Sequence, residues 1–396
     1  MFKFLFPIFA LAFGTETNLK NDLFQNYYPD VIPSNNLPVD LKLGIAFRSF
    51  NKIDHVEGTV ESNIWLRYYW KDNFLKWKPE NYNNLTSTVV NTNPEFDRHI
   101  WTPDIYLYNT AELPLSELDY SKATVYNTGD VIWSRPGVVI STCVFNLEKF
   151  PYDTQECRFK FGSWGYHGNQ LNLTTYKLPV DKSNLQKNVE WDLLSTENFV
   201  EVKKYGCCPD PYPTVTFKIN LARKFGYYTL NIVIPTFATT ALMVISMMIP
   251  WDSGERISFA ATVMLSIIVF LLILSEHLPK SNDKPLMSIM LVGLMFFSLA
   301  VVFITVIITA MRNIKEGNKI GTFLVKYYRK YIKNKKCKNR IDEERPRTIS
   351  YSEALQNNTS IEEECSNISD YLEHFSTIIF VVVFSVYCFS ITSLKP

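Results

Sequence analysis

The sequence predicts two fold classes in one chain: an all-β sandwich over its first half and an all-α bundle of membrane-crossing helices over its second. Three observations carry this. Residues 15–224 are aromatic-rich and break into short alternating runs, such as Asn63-Ile64-Trp65-Leu66-Arg67-Tyr68-Tyr69-Trp70, with turn clusters at 81–84, 127–130 and 209–213. Alternation at period two marks strands with one buried face, and such spacing suggests an antiparallel sandwich. From Tyr227 to Ile249, Ile257 to Leu274, Pro285 to Ala310 and Phe375 to Leu394 run four apolar segments, each near the ~20 residues that cross a ~30 Å hydrocarbon core. Between the last two, Arg312 to Arg347 carries thirteen Lys and Arg against four acids, the excess that marks a cytoplasmic loop. Bulk composition, with net charge +1, 20% charged and 47% hydrophobic residues, is average and hides this segregation.

Taken in chain order, residues 1–14 combine Lys3, an apolar stretch through Phe13 and an Ala12-Phe13-Gly14 ending, which reads as a cleaved signal peptide. The 15–224 segment then enters the secretory pathway and is long enough for one domain of about 200 residues with its own core. A short helix is expected at Leu19–Tyr27. Residues 225–310 hold the first three crossings, 311–374 a cytoplasmic loop that is helical near its acidic end, 353–373, and 375–394 the fourth crossing. Residues 395–396 then return to the outside. No glycine-rich phosphate loop, zinc-ligand spacing or nucleophile elbow is present, so neither a cofactor nor a metal is expected. The basic tract Lys326–Arg340 beside a membrane segment reads as an anchor at the lipid surface and not as a nucleic-acid site.

The second apolar segment carries chemistry as well as hydrophobicity. At helical spacing Ser258, Thr262, Leu265, Val269, Leu272 and Glu276 fall on one stripe. Several copies turning that stripe toward a common axis would stack rings: acidic at Glu255, hydroxyl at Ser258 and Thr262, apolar at Leu265 and Val269, and acidic again at Glu276. That arrangement is an ion pore. Acidic rings concentrate cations, and an apolar ring closes a water-filled path by dewetting. The competing reading is a membrane anchor whose flanking charges, Glu276 included, only solvate the helix ends.

Four of the seven cysteines, Cys143, Cys157, Cys207 and Cys208, lie in the outer half, and an even count there permits complete pairing. Joining Cys143 to Cys157 closes a 15-residue loop worth ~3 kcal/mol. Cys207 would then pair with its neighbour Cys208. Adjacent Cα atoms lie ~3.8 Å apart, below the usual disulfide range, so that ring would be uncommon. The alternative joins each adjacent cysteine to one of the distant two. Cys337, Cys365 and Cys388 fall in the cytoplasmic loop and last crossing and are expected as free thiols.

These residues carry a family resemblance. Cys143 and Cys157, with thirteen residues between them and Phe150-Pro151-Tyr152-Asp153 inside, resemble the signature loop of the pentameric Cys-loop ligand-gated channels. Cys207-Cys208 followed by Pro211-Tyr212 resembles an alpha-type nicotinic acetylcholine receptor subunit. Trp101-Thr102-Pro103-Asp104-Ile105-Tyr106-Leu107-Tyr108-Asn109, Gly162-Ser163-Trp164 and Asp252-Ser253-Gly254-Glu255-Arg256-Ile257-Ser258 also match that group. The resemblance covers nearly the whole mature chain. It implies an extracellular, immunoglobulin-like sandwich of about ten strands, a four-helix membrane domain, and a pentamer built from copies or related subunits, with binding sites between them. It further implies a multi-pass plasma-membrane protein, at synapses, passing Na+ and K+, with Ca2+ as a further candidate.

Acetylcholine, or a related quaternary amine such as choline, is the expected ligand. A quaternary ammonium makes no strong hydrogen bond, so a protein holds it with electron-rich ring faces, each worth ~0.5–2 kcal/mol. Tyr108, Trp164, Tyr205 and Tyr212, with Cys207 and Cys208, match the principal face. Trp65 matches the facing subunit's wall, with Thr124, Ile132 and Ser134 beside it. Trp70, Trp77 and Trp101 read instead as sandwich core. Glu255 occupies the mouth where the anion-selective branch typically has a Pro-Ala pair, so cations are expected to pass. Arg256, basic in the family too, is expected to turn away from the axis.

Coupling between the halves is expected at Phe150, Pro151, Tyr152 and Asp153, against the linker 278–284 with Pro279, and at Arg223. In relatives that arginine pairs with a glutamate, where this chain has His55 beside Asp54. Two carboxylates expected behind the agonist pocket are replaced by His167 and Thr214, which leaves Lys160 without its usual partner. Asn84 and Asn172 lie in sequons on the outer half and are candidate glycosylation sites, whereas those at Asn357, Asn358 and Asn367 would be cytoplasmic and unused. Thr348 and Ser350 form a short phosphorylation pattern. An enzyme using Cys207-Cys208 as a redox pair leaves the pore stripe unexplained. An auxiliary or heteromer-only subunit remains the alternative.

Overall fold

The computed structural model describes residues 6–34, 38–112, 118–250, 254–280, 284–312 and 361–393. Its contacts divide into two compact units, Met1–Asn146 with Asp153–Lys224, and Leu147–Tyr152 with Phe225–Pro396. The basic tract 326–340, Asp252, Ser253, Cys337, Thr348, Ser350, Asn357, Asn358 and residues 395–396 lie outside the described residues. Cys365, Asn367 and Cys388 fall within the last helix.

The first unit is a sandwich of ten strands: β1 (Val39–Asp54), β2 (Thr59–Lys71), β3 (Ser87–Val90), β4 (Ile105–Leu107), β5 (Ala123–Tyr126), β6 (Asp130–Thr142), β7 (Thr154–Ser163), β8 (Leu171–Asp181), β9 (Trp191–Lys204) and β10 (Pro211–Arg223). One sheet has the order β3-β5-β6-β2-β1-β8 and the other β4-β7-β10-β9. The period-two pattern does what it predicts, for along β2 Ile64, Leu66, Tyr68 and Trp70 are buried between outward-facing Trp65, Arg67 and Tyr69. From the other sheet Phe159, Phe161 and Phe217 enter the same core fully buried, each side chain contributing ~1.5–3 kcal/mol of transfer free energy. Trp70, Trp77 and Trp101 are buried, as expected of core. The purely antiparallel expectation needs one correction: β1 and β8 pair in parallel, because the chain passes from the second sheet to the first between β7 and β8.

Sulfurs of Cys143, beyond the end of β6, and Cys157, within β7, are bonded, and those of Cys207 and Cys208 are bonded to each other in the β9–β10 turn. An N-terminal helix, α1 (Phe6–Phe24), begins inside the stretch expected as a leader and stops short of Tyr27. Tyr27 is drawn onto the sandwich instead, donating its hydroxyl to Asp72 at 2.7 Å and accepting from the Trp101 backbone N–H at 2.9 Å.

The second unit holds α2 (Gly226–Ser246), α3 (Arg256–Glu276), α4 (Leu286–Arg312) and α5 (Ile361–Ser393). Among the described residues α2, α3 and α4 are long and apolar enough to cross a membrane. The expected fourth crossing occupies the second half of α5, and the acidic segment before it is helical from Ile361, with 353–360 outside the described residues. A π turn at Thr229–Val233 interrupts α2 just before Pro235, whose ring nitrogen has no hydrogen to donate to the turn before it. Met243 of α2, Met247 just past its end, Val263 of α3, Val301 of α4 and Phe380 of α5 form one core cluster.

Candidate functional site

The second sheet brings the expected principal-face aromatics together. Tyr108 follows β4, Trp164 follows β7, and Tyr205 and Tyr212 flank the β9–β10 turn. Trp164 is 75% exposed and meets the edges of two rings, Tyr108 at 6.4 Å and Tyr106 at 6.2 Å between centroids. Tyr205 and Tyr212 meet edge to face at 6.1 Å. Tyr108 donates its hydroxyl to the Ser163 carbonyl. Burial, with Tyr205, Asp104 and Tyr212 nearby, pushes its phenol up to about 12, so at neutral pH it stays protonated. A Cβ built on Gly162 would lie 2.7 Å from Tyr108 Cζ and 2.9 Å from Thr214 Cγ2. Glycine in the Gly162-Ser163-Trp164 run therefore makes room for the Tyr108 ring. Asp104 braces the same loop by accepting from Ser163 Oγ and from the Gly165 N–H at 2.6 Å.

Trp65 stands on the other sheet. It is 37% exposed, with the Arg48 guanidinium 4.4 Å from its ring centroid. Register places Arg67 opposite Ser134, Tyr69 opposite Ile132, and Ile132 opposite Thr124. All four expected wall residues therefore share the outward face of the first sheet. Two residues near these sites escaped the sequence reading: Arg48, and Lys203, whose ammonium lies 5.3 Å from the Tyr205 ring. The Arg48 contact depends on β1 pairing with β2, which no short motif encodes, whereas Lys203 lies two residues before Tyr205.

In α3 burial sorts the faces. Arg256, Ala260, Val263, Ile267 and Leu274 are buried against the other helices. Ser258, Thr262, Leu265, Val269, Leu272 and Glu276 are exposed along the opposite stripe, with Glu255 exposed at its start. Leu265 and Leu272 are each 59% exposed. Arg256 turns into the bundle, with Nη1 3.0 Å from Glu373 Oε1 and Nη2 2.9 Å from the Met247 carbonyl.

A model of the neurotransmitter-gated ion-channel ligand binding domain matches residues 16–225, and one of the neurotransmitter-gated ion-channel transmembrane region matches 232–372. The chain belongs to the neurotransmitter-gated ion channel family. It is 33% identical over 314 residues to acetylcholine receptor subunit alpha-L1 of Schistocerca gregaria, covering 76% of this chain and 55% of that one. It is 32% identical over 292 residues to neuronal acetylcholine receptor subunit alpha-9 of Gallus gallus, covering 73% and 59%. Against neuronal acetylcholine receptor subunit alpha-2 of Homo sapiens it is 32% identical over 298 residues, covering 74% and 55%. The chain thus spans little more than half the length of these curated relatives. This is a family of ligand-gated channels and not of enzymes.

Arg223 and Lys160 both have carboxylate partners within the sandwich. Arg223 does not depend on a carboxylate at position 55, since its Nε lies 2.8 Å from Asp153 Oδ1 and its Nη1 2.7 Å from Glu190 Oε1. The Trp191 ring lies 4.2 Å from its guanidinium. Asp153 and Arg223 are both buried, so removing Arg223 leaves the Asp153 carboxylate an uncompensated buried charge, costing about 3–5 kcal/mol. His55 instead meets the Phe145 ring at 6.4 Å, and Asp54 accepts the Val56 and Glu57 N–H groups in the β1–β2 turn. Lys160 likewise has a carboxylate: its Nζ lies 2.9 Å from Glu201 Oε2. Glu201 is the cross-strand partner of Thr214, so the charge absent from β10 is present on β9. The Lys160 ammonium holds the Glu201 carboxyl below the usual range.

Only the middle of the signature loop, Leu147–Tyr152, groups with the helical unit. Phe150 meets Tyr228 at 4.9 Å, Tyr152 meets Phe225 at 4.9 Å, and Leu286 donates its N–H to the Glu148 carbonyl at 3.0 Å. Pro151 is buried there, whereas Pro279 is half-buried just past the end of α3. Asn84 is exposed in a turn, and Asn172 on β8 donates to Asp40 at 2.7 Å.

Proposed function

We propose that this chain is a subunit of a cation-selective channel opened by extracellular acetylcholine, or a related quaternary amine, bound between subunits of a pentamer in the plasma membrane, at synapses. The observation that carries the reading is the aromatic cluster of Tyr108, Trp164, Tyr205 and Tyr212 beside the Cys207–Cys208 bond. Ring faces without a strong hydrogen-bonding demand suit a quaternary ammonium. Trp65 with Thr124, Ile132 and Ser134 lies on the other sheet of the same domain, which supports a site completed by a neighbouring copy. Glu255 at the head of the exposed α3 stripe supports passage of Na+ and K+, with Ca2+ permeation a further expectation. Asn84 and Asn172 are the proposed glycosylation sites. Phe150–Asp153, Arg223 and Pro279, with Asp54 and His55 nearby in sequence to the sandwich turn, are the proposed coupling residues.

A heteromer-only subunit is the second reading, favoured by His167, where the family resemblance leads one to expect a carboxylate. The test is expression alone in cells lacking relatives, with acetylcholine, choline and other amines applied. An amine-evoked current abolished by Trp164→Ala is expected. Surface protein that is silent for every amine until another subunit is co-expressed would overturn the homomeric reading.

A further inference from the structure

One charge cluster in the helical unit is not used by the agonist site or by the pore stripe. Arg256 opens α3 and Arg312 closes α4, and both reach α5. Glu373 receives Arg256 at 3.0 Å through Oε1 and Arg312 at 3.2 Å through Oε2, while Arg312 also pairs with Asp370. The side chain of Arg256 is only 3% exposed and that of Glu373 25%. Two arginines face two carboxylates, so the cluster is neutral overall, and Glu373 alone bridges both arginines. Arg256 follows Glu255, the first acidic residue of the exposed stripe, directly in sequence.

Resting on the reading of α3 as the pore helix, we infer that Glu373 is a positioning residue for selectivity: its carboxylate keeps the Arg256 guanidinium buried on the bundle side, away from the Glu255 ring. A buried guanidinium that loses its carboxylate is strongly disfavoured. The long, flexible stem of arginine lets the charge relax toward water, and the nearest exposed carboxylate in sequence is Glu255. Each copy that relaxed in this way would cancel one negative charge at the mouth. The last helix thereby acts on ion choice without touching an ion. This differs from a simple clamp holding α5 in place, because the effect travels through the charge of Arg256 and vanishes when that charge is removed.

The test uses the full chain, alone or with an alpha-type acetylcholine receptor subunit where it is silent alone. In Glu373→Gln the reversal potential in a salt gradient should move toward zero, and single-channel conductance should fall about twofold as the local cation concentration drops. Glu373→Asp should keep most of both, and Glu373→Gln combined with Arg256→Gln should restore them. Thermal unfolding of the solubilised chain should show the same coupling, with the double variant melting above Glu373→Gln alone. If Glu255→Ala weakens cation preference while Glu373→Gln leaves reversal potential and conductance unchanged, the inference fails and the pore reading stands. If Glu255→Ala has no effect either, the pore reading itself fails. A double variant as impaired as Glu373→Gln alone reduces Glu373 to a structural clamp and overturns the proposal.

Discussion

At the scale of single residues, the motifs legible in the sequence are those whose chemistry is local. Gly162-Ser163-Trp164 and the Trp101–Asn109 run were legible as matches to a family's motifs, by residue type and spacing. What could not be read were partners brought in by sheet pairing. Thr214 looked like a lost carboxylate until the register put Glu201 beside it, within reach of Lys160. Position 55 looked like a lost partner for Arg223 until Asp153 and Glu190 closed around the guanidinium. The Gly162 contact is the sharpest residue-level prediction. Gly162→Ala must displace the Tyr108 ring, whose Cζ lies 2.7 Å from the new methyl position, and removing one ring face should raise the half-activating agonist concentration about tenfold. An unchanged concentration-response curve, with surface expression normal, would show that Tyr108 does not contact the agonist.

At the scale of elements, hydrophobic periodicity served well where one face is buried and the other is not. The period-two runs became β2 and β6, and the spacing of Ser258, Thr262, Leu265, Val269, Leu272 and Glu276 became the exposed stripe of α3. Boundaries were less legible. The acidic segment before Phe375 continues into α5 as one helix, since nothing between Ile361 and Ser393 breaks it. Likewise α1 stops before Tyr27, because a hydroxyl pairing with Asp72 45 residues away decides where the chain leaves the helix. For α3 the expectation is functional: a ring of Leu265 side chains closes a pore by excluding water. Leu265→Ser should give current without agonist and shift activation to lower concentrations. If resting current and half-activating concentration both stay at their original values, the constriction lies elsewhere on the stripe, with Val269 the next position to change.

At the scale of the molecule, the sequence separated a β domain from a helical membrane domain by patterning along the chain and not by bulk composition, and the contacts divide the chain at Lys224 and Phe225. The exception is instructive. Leu147–Tyr152 sits in the middle of the β half of the chain yet packs with the helices through Phe150–Tyr228 and Tyr152–Phe225, so a loop enclosed by the Cys143–Cys157 bond is shared out to the other unit. The central claim is that α3 copies line a cation path with Glu255 at its mouth. Its most direct test is the reversal potential of agonist-evoked current as external NaCl is diluted, in the original chain and in Glu255→Ala. The account predicts a potential that follows the cation gradient in the original chain and moves toward zero in the variant. A potential that follows the chloride gradient, or one that is identical in both, would contradict it.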